Sequence, residues 1–118
     1  MPTWSDSLKR WLRREGATVK ASGAQTSSTT GASVEVGDAA VFNLLLDVTA
    51  ASGTTPTLDI TIQGSDDGTN WYALGTFAQK TGVSAERKAF PGARYVRYVS
   101  TIGGTTPSFT FSIAGTAA

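Results

Sequence analysis

The chain has neither cysteine nor histidine among its 118 residues. Without cysteine there is no disulfide framework and no thiolate site, so stability has to come from packing or assembly. Without histidine the commonest general base and metal ligand is missing. Charge is sparse as well: 16% of residues are charged and 40% hydrophobic, where soluble domains usually carry roughly 25% charge. Glycine, serine and threonine fill the difference, giving a polar but weakly charged surface that suits packing against other subunits. A net charge of +1 sets up no overall field for nucleic acid or a membrane, and neither is expected as a partner. No apolar run approaches the roughly 20 residues of a bilayer-spanning helix. The first residues lack the apolar core of a secretory signal, so synthesis in a cytoplasm is expected.

What the chain does contain divides into three segments. Residues 1–16 carry Trp4, Leu8, Trp11 and Leu12 at i, i+4, i+7 and i+8, the apolar stripe of a short amphipathic helix. Lys9, Arg10, Arg13 and Arg14 surround the stripe against Asp6 and Glu15, a local balance of +2. Thr3 or Ser5 can cap its start and Gly16 its end. So short a helix is marginal alone in water, and its stripe needs a partner surface. Residues 17–31 form a Ser/Thr/Gly-rich arm or a first strand. Such a stretch is flexible alone; it either links the helix to the rest of the chain or orders as an added strand on a neighbouring subunit.

From residue 17 onward the period is two, with turn chemistry every eight to twelve residues. Strands are expected at Thr18 to Ala24, Ala32 to Val36, Ala40 to Thr49, Thr57 to Gln63, Trp71 to Phe77, Ser84 to Phe90, Ala93 to Thr101 and Ser108 to Ala114. Leu58, Ile60 and Ile62, and likewise Phe109, Phe111 and Ile113, alternate with polar residues as strands with one buried face do. Val41 to Val48 is nearly continuous in apolar residues and reads as a central strand. The fold class is therefore all-β, an antiparallel β-sandwich of jelly-roll or immunoglobulin-like type over residues 32–118, preceded by the helix. Two Gly-Thr-Thr-Pro units, at 53–56 and 104–107, each precede an alternating strand, where a proline belongs.

Between two of these strands lies "QGSDDGTNW". Gly68 is free to take a positive φ, and the side chains of Asp66 and Asp67 can bond nearby amides, so the stretch reads as a hairpin with Trp71 at its far side. A calcium loop needs six to eight oxygens at defined spacing, and two adjacent acids lack that series. No metal and no cofactor is expected.

Catalysis finds no foothold either. An acid pair or a Ser/Lys pair would have to act, and neither has a motif such as Ser-x-x-Lys or Gly-x-Ser-x-Gly. Asp47 and Asp59, on neighbouring expected strands, are the one acid pair that could face each other as glycosidase carboxylates do. Solvent-facing strand acids are the commoner case. Arg94, Tyr95, Arg97 and Tyr98 interleave cations and aromatics as single-strand binders do, but alternation sends Arg94 and Arg97 to opposite faces. One tyrosine is expected in the core and the other at an edge.

The segment "ITIQGSDDGTNWYALGTF" with the later "FPGARYVRYV", about residues 58–99, resembles the central part of discoidin-type jelly rolls, the coagulation-factor C-type and sugar-binding modules. That resemblance implies the fold, with Trp71 packed under the hairpin. It does not extend to a sugar-binding constellation. The longer stretches "LDVTAASGTTPTLDITIQGSDDGTNWYAL" and "RYVRYVSTIGGTTPSFTFSI", within about residues 39–115, are similar to small virion structural proteins of tailed bacteriophages. This second resemblance implies a non-enzymatic protein of the virion, made in the host bacterial cytoplasm. The expected role is a capsid decoration protein, present as a homo-oligomer on a lattice and bound to the major capsid protein or another virion protein. Trp4, Leu8, Trp11 and Leu12 with Arg10, Arg13 and Arg14 would form the partner-binding helix, since tryptophan and arginine are enriched at interface hot spots. The alternative is a carbohydrate-binding module on a tail or fibre. The structural role expects Trp71 buried, whereas the carbohydrate alternative expects Trp71 or Tyr72 accessible at the hairpin.

Overall fold

The computed structural model describes residues 15–37 and 39–118. The described residues are all-β, without a helix. In chain order they form β1 (Glu15–Gln25), β2 (Thr29–Thr30), β3 (Val34–Glu35), β4 (Val41–Ser65), β5 (Tyr72–Thr76), β6 (Ser84–Pro91) and β7 (Tyr95–Ala117). Every pairing is antiparallel. The helix expected over 1–16 lies outside the described residues, apart from Glu15 and Gly16, which are already in β1.

β4 and β7 organise everything else. They pair from Phe42 against Ala117 through to Ser65 against Tyr95, with register shifts only between Val48 and Thr57. At those shifts the two strands bend together. The first half of β4 and the second half of β7 are flanked by β6 and β1, giving the order β1, β7, β4, β6. The other halves are flanked by β5 on one side and by β2 and β3 on the other. With β2 and β3 counted as one interrupted strand, two four-stranded layers face each other across one core containing Phe42, Leu44, Leu46 and Val48 from one layer and Leu58, Ile60, Ile62 and Val96 from the other. Rings meet across the gap: Tyr98 lies edge-on to Phe111 at 6.2 Å, and Phe77 edge-on to Phe90 at 5.2 Å. Each large apolar side chain so buried contributes about 1.5–3 kcal/mol.

The bend is built from the two Gly-Thr-Thr-Pro units, which face one another with Thr54 opposite Thr105. Gly53 and Gly104 take φ of +114° and +110°, where an L side chain is strained, and Thr55 and Thr106 follow at +47° and +45°. Each glycine sits against the other unit's backbone. A Cβ on Gly53 would lie 2.8 Å from Thr106 O, and one on Gly104 would lie 2.8 Å from Thr55 O. One tetrapeptide, used twice, turns both long strands at the same level.

Two expectations need correction. The four separate strands 40–49, 57–63, 93–101 and 108–114 are two continuous bent strands, because pairing between β4 and β7 persists through the corner. The strand expected over 32–36 shortens to Val34–Glu35. Val41 to Val48 is the central strand expected, flanked by β6 and β7; burial alternates along it, and Leu45 points outward, 42% exposed.

The Ser/Thr-rich segment after β1 lies on its own chain. Thr29 and Thr30 pair with Ser100 and Val99, and the Ile102 amide donates to Ser28 Oγ at 3.0 Å. Gln25 Nε2 donates to Tyr98 Oη at 2.6 Å, and buried Ser100 Oγ bonds Gln25 Oε1 at 3.1 Å. These bonds satisfy polar groups that burial would otherwise strand.

Candidate interaction surfaces

Ser65 ends β4 fully buried, and its hydroxyl starts the hairpin. Ser65 Oγ accepts from the Gly68 amide at 2.9 Å and donates to Asp67 Oδ1 at 3.0 Å. Asp67 Oδ1 also accepts from the amides of Asn70 and Thr69, each at 2.8 Å, and Oδ2 accepts from Asn70 Nδ2 at 2.8 Å. The Asn70 amide, then the Thr69 amide and the side chains of Asn70 and Ser65, hold the Asp67 carboxyl well below the usual carboxylate range. Gly68 takes φ +78°, as the turn requires. Asp67 is thus committed to the loop itself. Asp66 is exposed, and its one hydrogen bond among the described residues is a long one from Tyr72 Oη, at 3.3 Å. Among the described residues no group of three or more acids, cysteines or histidines could hold a metal.

Next to the hairpin, on the outer face of the layer that holds β5, Trp71 is half-buried and its ring carries the Arg97 guanidinium at 4.2 Å. Arg97 stands directly across from Gln63, and its Nε donates to Gln63 Oε1 at 2.7 Å. Tyr95 lies on the same outer face, beside Gly68, with Arg94 over its ring at 5.7 Å. Arg94 also pairs with Glu35 at 3.0 Å. Of the two tyrosines, Tyr98 is in the core and Tyr95 half-buried outside it. Tyr72 is 42% exposed. Trp71 therefore meets neither expectation cleanly, since it is partly accessible but has one face covered by a cation.

Asp47 and Asp59 do not meet. Alternation within β4 points them away from the core, and the bend puts them on opposite layers, hence opposite outer faces. Asp59 instead accepts from Gln79 Nε2 at 3.0 Å. On the other outer face, Asn43, Leu45, Arg87, Ala114 and Gly115 line a shallow depression of about 410 Å³. The helix residues Trp4, Leu8, Arg10, Trp11, Leu12, Arg13 and Arg14 lie outside the described residues.

Two features escaped the sequence reading. Lys20, on edge strand β1, turns its Nζ back over the Phe111 ring at 4.3 Å and donates to Phe111 O at 2.9 Å, and loss of water lowers its pKa. Such an inward-turned lysine blunts an edge against pairing with another chain. Lys80, almost buried, donates to Glu86 Oε1 at 2.7 Å. Burial works against the Glu86 charge, but bonds from Lys80 Nζ and the Ala78 amide bring its pKa down on balance. Lys20 depends on a partner 91 positions away in sequence, and Lys80 on one six positions on.

No helix among the described residues is long and apolar enough to cross a membrane. No family model matches the chain, and no curated protein matches it. Among solved structures it is similar to chains in the structures of infectious bursal disease virus Gt strain and Gx strain. Identity is 15% and the TM-score 0.44 in both, over 89% and 88% of this chain. The match spans about a third of those chains' length, 33% and 32%.

Proposed function

We propose that the chain is a non-enzymatic virion structural protein, a capsid decoration or stabilising protein that binds the major capsid protein. The observation that carries this reading is where the phage-like segments lie. "LDVTAASGTTPTLDITIQGSDDGTNWYAL" runs from Leu46 of β4 through the hairpin to Leu74 of β5, and "RYVRYVSTIGGTTPSFTFSI" from Arg94 to Ile113 of β7; β4 and β7 are paired along their length and bent together. The resemblance thus belongs to one continuous structural unit, the paired strands with their corner and hairpin. Counting β2 and β3 as one interrupted strand, the two layers hold eight strand segments in the order of a jelly roll, an architecture that serves capsid proteins and lectins. We read the fold as a jelly roll in preference to an immunoglobulin-like sandwich on that order. The weak charge of the chain suits packing on a lattice, where many copies make modest individual contacts effective.

The helix residues Trp4 and Trp11 are the proposed anchors on the capsid. Purified protein mixed with purified empty capsids should bind saturably, and a full-length variant carrying Trp4→Ala and Trp11→Ala should bind far more weakly. Equal binding by both forms would move the docking surface to the two layers. No binding by either would end the capsid reading. The carbohydrate-binding alternative draws on exposed Tyr72 beside half-buried Trp71. A glycan array that retains the wild type and loses a Tyr72→Ala variant would select it.

A further inference from the structure

Leu45 is one of three large apolar side chains left exposed among the described residues, with Tyr72 and Val83. Tyr72 begins an edge strand and Val83 lies in a turn, whereas Leu45 stands in the middle of a sheet. On the outer face of that layer the register sets Leu45 between Ala114 of β7 and Arg87 of β6, and sets Asp47 against Ala85. The alanines leave Leu45 standing above its surroundings, and the shallow depression of about 410 Å³ opens beside it.

Arg87 is exposed and Asp47 half-buried, and neither makes a hydrogen bond or an ion pair among the described residues. Along β4, β6 and β7 they are the only charges turned to this face. Their placement has a symmetry. Arg87 stands directly across from Leu45, about 5 Å away, and Asp47 lies two residues along the same strand, about 7 Å away. Leu45 is thus nearly equidistant from the two charges, and so is Ala85 on the other side of the line joining them. A two-fold axis in the plane of the contact, passing over Leu45 and Ala85, sets Leu45 on its own copy and Arg87 over Asp47 twice. We propose that this face pairs with the same face of a second copy of this chain about that axis, Arg87 of each copy meeting Asp47 of the other.

Other occupants fit less well. Nucleic acid needs several cations in a row, and one cation beside one acid opposes it. The depression is too shallow to enclose a small ligand. Residues 1–14 carry Lys9, Arg10, Arg13 and Arg14, and they gain nothing from a face whose one acid stands beside a cation. Four strands about 4.8 Å apart and about eight residues long present roughly 500 Å² per copy, about 1,000 Å² in total, at the small end where transient encounters lie. The dimer is therefore weak in solution and gains from high local concentration on an assembly. This inference does not depend on the capsid reading.

Sedimentation of the full chain over a concentration series tests it. Wild type should shift from monomer toward dimer by about 1 mM, in the weak range expected of a small interface. Arg87→Asp alone and Asp47→Arg alone should each stay monomeric, because like charges then meet at both contacts. An equimolar mixture of these two variants should dimerise, since both contacts regain opposite signs, and that recovery also shows that each variant folds. Leu45→Ser should associate about tenfold more weakly, as when an interface loses its apolar centre, with its thermal midpoint at low concentration unchanged. Wild type that remains monomeric at about 1 mM overturns the proposal, as do reversed variants that dimerise like wild type or a mixture that does not associate. A monomeric wild type whose thermal midpoint falls on Leu45→Ser would assign the face to residues 1–14 and overturn it as well.

Discussion

Replacing either corner glycine by alanine should damage the fold, and by nearly equal amounts. Gly53 and Gly104 hold φ of +114° and +110°, a region whose occupation by an L residue costs on the order of 1–3 kcal/mol. The new methyl at Gly53 would also press on Thr106 O, Pro107 Cα and Thr105 O at 2.8–2.9 Å. The one at Gly104 would press on Thr55 O, Pro56 Cα and Thr54 O at 2.8–3.0 Å. These are backbone atoms that cannot rotate aside, and overpacking of this kind adds about 1–3 kcal/mol. Together the terms come to about 4 kcal/mol for each substitution, or a fall of roughly 15 °C in Tm at about 4 °C per kcal/mol. Circular dichroism melts and urea midpoints would measure it, with Gly82→Ala as the control, because nothing lies within 4 Å of a Cβ there. Each methyl displaces the unit opposite, so the double variant should lose less than the two single losses added together. A cost below about 1 kcal/mol at either site, or a gap of more than about 2 kcal/mol between the two, would refute the paired corner.

Acid should destabilise the protein through Asp67 and Glu86. Both carboxyls titrate lower folded than unfolded, so their contribution is complete above about pH 5 and is lost as pH falls toward the folded values. Urea midpoints followed from pH 6 to pH 2 should drop, and Asp67→Asn with Glu86→Gln should flatten the slope; an unchanged slope would contradict the hydrogen bonds assigned to them. Leu46 and Leu45 are chain neighbours with opposite fates: Leu46→Ala should cost about 2–5 kcal/mol, and Leu45→Ser no more than about 0.5 kcal/mol. Comparable losses in the same unfolding assay would mean that the outer face of β4 is covered.

Strands were legible wherever their cause was local. Leu58, Ile60 and Ile62 alternate with polar residues, and the core alternates with them. The turn at Asp66, Asp67 and Gly68 was legible for the same reason, because an Asx side chain bonding amides two and three residues on is a local event. The outward turn of Leu45 was not legible, because a run of three leucines hides its own period. Arg97 was legible only in part: alternation gave its face, but nothing in "ARYVRYV" announces that Trp71 and Gln63 lie beneath it.

The corner marks the limit most clearly. Two Gly-Thr-Thr-Pro units 51 positions apart are visible in the sequence as similar, yet similarity alone does not make them partners. Their partnership follows from β4 and β7 being paired antiparallel along their whole length. When two paired strands must bend at one level, each meets the same backbone crowding from the other, and the same residues relieve it on both sides. Glycine admits the close approach, the threonine two positions later takes a positive φ, and proline, lacking an amide donor, suits the point where the ladder resumes. The duplicated motif is thus the consequence of an approximate two-fold in the ribbon, which a substitution on one side alone should break.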